Sequence, residues 1–160
     1  MRKKIEMTVS LVEYQLTELS LDEMKLLEKA QELMSKAYAP YSEFYVGASV
    51  MLDNGEIFAA NNQENVSFPV GTCAERIALG YAMANFPTNR PVKIAIVAKK
   101  IGLDRLANVT PCGMCRQAIN EYELKFNKPI EILILTPENT VLKAEGVENF
   151  LPFRFNNLND

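Results

Sequence analysis

Two short, almost unbroken apolar runs, residues 92–98 (VKIAIVA) and 130–135 (IEILIL), constrain the fold of this chain more than any other feature. A strand that faces water on one side alternates apolar and polar residues. A run that is apolar at nearly every position must be covered on both sides. Helical patterns flank both runs. The spacing predicts one helix over about 72–84 and another over about 110–126. Upstream, Ser20-Leu21-Asp22-Glu23 is a capping-box pattern. It opens a helix with the apolar stripe Met24, Leu27, Ala30, Met34 and Ala37, which Pro40 brings to an end. Residues 46–52 and 56–60, joined by Asp53-Asn54-Gly55, read as a β-hairpin. Residues 140–144 read as a further strand, with a short helix over 147–150. Ile5, Met7, Val9 and Leu11 alternate with polar residues and predict an N-terminal strand. The order β-α-β-β-α-β-α-β-β-α implies an α/β fold of three layers, helix on sheet on helix. The early hairpin makes the sheet mixed.

At 160 residues the chain suits one domain, 1–160, with a substantial core. No apolar run approaches the roughly 20 residues of a membrane span. Met1-Arg2-Lys3-Lys4 leads into no signal-peptide core, so the expected compartment is the cytoplasm. The net charge is −3, and the densest basic group is only Arg2, Lys3 and Lys4. A small free substrate fits this charge better than a nucleic acid or a membrane surface.

Three cysteines and no histidine set the chemistry. Every His-based triad, His general base and His metal ligand is excluded. A metal site must be built from Cys and carboxylates, and a proton shuttle from Glu, Asp, Lys or Tyr. All three cysteines fall at predicted helix starts. Cys73 follows Thr72, a suitable N-cap. Cys112 follows Thr110-Pro111, an N-cap and a first-turn proline. Cys115 lies one turn further on. A helix N-terminus carries about half a positive charge and unpaired N–H groups, and both favour thiolate. Three converging thiolates make a tetrahedral zinc site with one position open, the mark of a catalytic rather than a structural zinc.

Singly, these residues say less. A lone cysteine is ordinary core, and Cys112-Gly113-Met114-Cys115 also suits a redox pair or half of a structural zinc site. A structural site needs a fourth ligand that no Cys or His supplies here, and a redox pair leaves Cys73 without a role. Glu75, two residues after Cys73, is placed to lean over the open position without ligating. By itself it reads as an acidic residue facing the helix dipole.

Cys73-Ala74-Glu75-Arg76 and Pro111-Cys112-Gly113-Met114-Cys115-Arg116-Gln117 resemble the two zinc motifs of the cytidine deaminase family, with Cys in place of the first His. Ala39-Pro40-Tyr41-Ser42-x-Phe44-x-Val46-Gly47-Ala48 is similar to the family's opening motif. Asn62-Gln63-Glu64-Asn65 is similar to its ribose-binding segment, and Leu151-Pro152-Phe153-Arg154-Phe155 to its C-terminal motif. The resemblance spans about residues 30–155, and the three-cysteine form resembles the small homotetrameric class.

The resemblance implies a cytidine deaminase-like fold with a mixed five-stranded sheet; residues 1–19, which lie outside it, read as an N-terminal strand extension. It implies hydrolysis of cytidine and 2′-deoxycytidine to the uridines with release of ammonia, a pyrimidine-salvage step. One Zn2+ per chain would be held by Cys73, Cys112 and Cys115. Glu75 would move protons as the catalytic residue. Phe44, Asn62, Glu64 and the Ala74 backbone would contact substrate, Asn62 and Glu64 at the ribose. Phe155 would reach into a neighbouring subunit's pocket of a homotetramer. Three thiolates outweigh the zinc charge, and Arg76 would offset the excess by donating hydrogen bonds to the sulfurs, with Gln117 in support. Two readings compete: deamination of another cytosine-containing small molecule such as blasticidin S, and a catalytically inactive zinc-binding assembly module. The chain departs from the family at Phe68, where Tyr is usual, and at Met114, where Ala is common.

Overall fold

The computed structural model describes residues 2–155. The elements are β1 (Val12–Gln15), α1 (Leu21–Met34), β2 (Phe44–Leu52), β3 (Ile57–Asn61), α2 (Ala74–Asn85), β4 (Pro91–Lys100), α3 (Gly113–Phe126), β5 (Glu131–Leu135) and β6 (Thr140–Glu145). Short 3-10 turns lie at Leu16–Glu18, Phe68–Val70 and Val147–Asn149. The strands form one sheet in the order β1-β6-β5-β4-β2-β3. Among the described residues, its only parallel strand pair is β4 with β5, which α3 connects.

Side-chain alternation divides the core between the two faces of this sheet. Ile94 and Ile96 of β4 and Ile132 and Ile134 of β5 pack with Ala78 and Leu79 of α2 and Ile119 of α3. Ala95, Val97 and Leu133 face the other way, onto Leu26, Leu27 and Ala30 of α1. That is why both strands are apolar at nearly every position. Gly47 in β2 lets α1 approach the sheet at backbone distance, since a Cβ there would lie 1.8 Å from the Ala30 carbonyl oxygen.

The sheet has six strands rather than five, because β1 joins β6 at the edge. This strand also lies later than the alternation at residues 5–11 predicts. Pairing with β6 covers only Val12–Gln15, opposite Lys143–Thr140, and stops short of residues 5–11 although β6 continues to Glu145. Helix α1 ends at Met34 rather than at Pro40, with the Ser35 hydroxyl donating to the Glu32 carbonyl at 2.7 Å. Its buried stripe is Leu26, Leu27, Ala30 and Met34, so Leu26 takes a place the spacing assigns to Met24.

Glu23 joins α1 to the sheet. Its backbone N–H caps onto the Ser20 hydroxyl at 3.3 Å, and Oε2 accepts from the Ser20 N–H at 2.9 Å. Oε1 accepts from Lys93 and from Lys143, each at 2.6 Å. Burial alone raises the pKa of this carboxyl, but the bonds from Lys143, Lys93 and the Ser20 N–H outweigh it. The net shift is well below the ordinary value of 4.5. A carboxyl whose pKa is depressed by folding stabilises the fold above its unfolded pKa and loses that contribution as pH falls toward its folded pKa. Glu23→Gln, which leaves the partly buried Lys143 without its charge partner, is expected to cost roughly 3 kcal/mol at pH 7. The gap from the parent should close as pH falls below 4.5. Denaturant titration of both proteins across this range checks the outcome.

Candidate metal centre and catalytic site

Helices α2 and α3 present their N-terminal ends to one another, and each carries a cysteine as its N-cap. Cys73 caps α2 and Cys112 caps α3, both with extended backbone and neither making a side-chain capping bond. Thr72 and Thr110, the expected caps, sit outside the helices. The Thr72 hydroxyl donates to the Val70 carbonyl, and the Thr110 hydroxyl accepts from Arg116. A cysteine at the cap keeps its sulfur free and close to the unpaired N–H groups of the first turn. Cys115 follows one turn into α3, fully buried.

The three sulfurs converge. Cys73 Sγ lies 3.7 Å from Cys112 Sγ, Cys112 Sγ lies 3.4 Å from Cys115 Sγ, and all three fall within 4.8 Å of one another. Sulfurs bound at about 2.3 Å to one tetrahedral ion stand about 3.8 Å apart, so the spacing fits a single zinc. The electrostatics fit as well. The neighbouring Cys115, aided by Cys112 and the charge of Arg76, brings the Cys73 thiol down to about 6 against burial. The proximity of Cys73, with burial and the charge of Glu75, pushes Cys115 far above the ordinary thiol value. Cys73 ionises readily, and Cys115 resists until a cation offsets the accumulating charge.

Glu75 occupies the first turn of α2 and is only 5% exposed. Burial raises its pKa above the usual carboxylate range, and the nearby Cys73 charge adds to the shift. It lines a cavity of about 220 Å³ together with Cys73, Cys112, Phe44, Asn62 and Val46. The structure thus gathers Cys73, Cys112, Glu75, Phe44 and Asn62 around one cavity, with Cys115 behind the other sulfurs. Ala74, fully buried, sits between Cys73 and Glu75 at the start of the helix.

Other expected residues lie elsewhere. Glu64 lines an adjoining depression with Tyr41, Ser42 and Phe68, where its Oε2 accepts from the Tyr41 N–H at 2.9 Å and the Ser42 N–H at 3.3 Å. The Asn62 amide is bound to β2, accepting from the Val46 N–H at 2.8 Å and donating to the Phe44 carbonyl at 3.0 Å. It therefore fixes the strand that carries Phe44. Arg76 contacts Met114 Sδ at 4.0 Å rather than a cysteine sulfur, and its charge reaches Cys73 through space. Gln117 is exposed on the outer side of α3 beside Arg76 and Met114. Phe155 is 60% exposed, with its carbonyl accepting from the buried Asn120 amide at 2.7 Å.

Arg116 has a part that its place in the motif does not announce. Its guanidinium donates to the Pro111 carbonyl at 2.6 Å, the Phe150 carbonyl at 2.8 Å and the Thr110 hydroxyl at 3.0 Å. Three bonds from one rigid fork hold the loop that delivers Cys112. The available signal was its spacing, four residues after Cys112 and so on the same side of the helix.

The family profile described as the cytidine and deoxycytidylate deaminase zinc-binding region matches residues 21–127. The cytidine deaminase of Halalkalibacterium halodurans is 38% identical over 101 residues, covering 63% of this chain and 72% of that protein. The blasticidin-S deaminase of Bacillus cereus is 29% identical over 139 residues, covering 86% of this chain and 94% of that protein. The crystal structure of the Burkholderia pseudomallei cytidine deaminase superposes with a TM-score of 0.69 at 33% identity, over 82% of this chain and 98% of that one. With this match falling on the cysteine-capped helices and the sheet beneath them, the chain belongs to the cytidine and deoxycytidylate deaminase family.

Proposed function

We propose that this protein is a zinc-dependent hydrolase that deaminates cytidine and 2′-deoxycytidine to uridine and 2′-deoxyuridine, releasing ammonia. The observation that carries this reading is the buried Glu75 carboxyl lining the same cavity as two of the three clustered sulfurs. Cys73, Cys112 and Cys115 would hold the zinc, which when bound supplies a Lewis acid able to lower the pKa of a water toward 7.

The remaining chemistry falls to the protein's own groups. Glu75 takes a proton from water and delivers it to N3 of the pyrimidine, which leaves C4 short of electrons and open to the water oxygen. It then carries a second proton to the exocyclic nitrogen, and ammonia departs. A carboxyl that acts as base and acid in turn works best with a raised pKa, which burial supports. The Ala74 backbone would meet the base edge, Phe44 would pack on base or sugar, and Glu64 would take the ribose hydroxyl. Asn62 would act there chiefly by holding the Phe44 strand.

Val66, Phe68, Met114, Phe153 and Phe155 are each at least 60% exposed. Exposed apolar groups of this size support burial against other subunits, in a homotetramer where Phe155 completes a neighbour's pocket. The reading carries no nucleic-acid or membrane partner and places the enzyme in pyrimidine salvage in the cytoplasm. Among the described residues, no helix is long and apolar enough to cross a membrane.

Ammonia release from a panel of cytidine, deoxycytidine, cytosine and blasticidin S tests the substrate. Turnover of the two nucleosides is expected. Turnover of blasticidin S alone would favour the antibiotic reading, and no turnover at all by zinc-loaded protein would favour an assembly module. Glu75→Gln is expected to retain zinc while kcat for cytidine falls by about 10²–10⁴-fold. Arg116→Lys keeps the charge but loses the fork that holds Thr110 and Pro111. Its zinc affinity, measured by chelator competition, is expected to fall by about 10-fold or more.

A further inference from the structure

Residues 5–11 read Ile-Glu-Met-Thr-Val-Ser-Leu, a strict period of two. This strand-like segment has no strand partner among the described residues. Ile5 is 68% exposed, Met7 and Val9 are each 50% exposed and Leu11 is 43% exposed. The polar side chains between them are exposed too, and Glu6 pairs locally with Lys4. Among the described hydrogen bonds, the backbone of this segment contributes only the Ser10 N–H, donated to Asn149 Oδ1 at 2.9 Å. The segment runs straight into β1, the edge strand of the sheet, whose outer side is open. Unpaired backbone with an apolar face, continuing from an open edge, is a template for pairing with another strand.

We propose that residues 3–13 pair antiparallel with the same segment of a second copy of this chain, about a two-fold axis through Thr8. The sequence is self-complementary in that register. Period two puts Lys3, Ile5, Met7, Val9, Leu11 and Glu13 on one face. Reversed onto itself about Thr8, the face sets Ile5 against Leu11, Met7 against Val9, and Lys3 against Glu13. Apolar groups meet apolar groups, and each end closes with opposite charges. Glu13 Oε1 accepts from the Thr140 hydroxyl, which leaves Oε2 for the partner's Lys3.

Neighbouring registers lose this match. An axis through Val9 sets Ile5 against Glu13, and one through Met7 sets Lys3 against Leu11. An axis between residues opposes apolar side chains to polar ones. In the Thr8 register, residues 2–4 of the second copy lie along the open edge of β1 and join the two sheets. The contact is isologous, the same segment serving on both sides.

Cysteine cross-linking of the full-length, zinc-loaded protein tests the register. Directly opposed residues of an antiparallel pair have Cα atoms about 4.5–5.5 Å apart, within reach of a disulfide. Thr8→Cys faces its own copy across the axis and is expected to give covalent dimers under mild oxidant, well above the parent protein. Ile5→Cys lies about 20 Å along the strand from its own copy and is expected to stay at the parent's background. Co-expressed with Leu11→Cys, it should cross-link as Thr8→Cys does. Thr8→Cys at background, or Ile5→Cys alone cross-linking as readily as Thr8→Cys, would overturn the proposal. The readout depends on the N-terminal segment alone, whatever substrate the cysteine site accepts.

Discussion

Three thiols held within 4.8 Å of one another at the tips of two helices cannot all ionise unless a cation stands among them. The ionisation of Cys73 and the resistance of Cys115 are two sides of this constraint. The cap positions bring the sulfurs together without committing them to helix capping. Because the chain has no histidine, no neutral nitrogen ligand dilutes the thiolate charge. The site therefore depends on positive charge from elsewhere. The helix ends supply some of it, and Arg76 supplies more through space.

The scaffold serves this convergence from below and behind. The sheet forms a floor on which α2 lies chiefly over β2 and β3 while Ile119 of α3 packs with the isoleucines of β4 and β5, and small residues such as Ala74, Ala78 and Ala82 let α2 approach closely. On the far face Gly47 of β2 and the ion pairs of Glu23 with Lys93 of β4 and Lys143 of β6 lock α1 to the sheet. Behind α3, the buried Glu123 accepts from the Ile130 and Val147 N–H groups and from Arg154, tying the helix to the start of β5 and to the C-terminal segment. These contacts fix the C-terminal end of α3, while Arg116 fixes the N-terminal end that carries Cys112 and Cys115.

Much of this was legible in the sequence, for physical reasons that differ by element. The central strands announced themselves because a strand covered on both faces has almost no polar positions. The Ser20–Glu23 box marked the start of α1 because capping is local. The three cysteines and Glu75 were legible because helix starts have their own residue chemistry and the spacing within one turn is fixed. What escaped depends on contacts distant in sequence. β1 was expected at residues 5–11, where the alternation is clearest, but the pairing with β6 falls on Val12–Gln15, a register set by a strand about 130 residues away. Thr72 and Thr110 are better caps by preference than cysteine, and tertiary convergence overrode that preference. Arg76 was expected on the sulfurs, yet its guanidinium lies against Met114 Sδ instead. The Arg116 fork reaches Phe150, 34 residues away, and no local pattern foretells that.

X-ray absorption at the zinc edge, on protein assayed for metal content, reads the coordination itself. One zinc per chain is expected, with three sulfur scatterers at about 2.3 Å and one oxygen at about 2.0 Å. A shell with fewer than three sulfurs, or with four, would contradict a site built from Cys73, Cys112 and Cys115 with one position open to water.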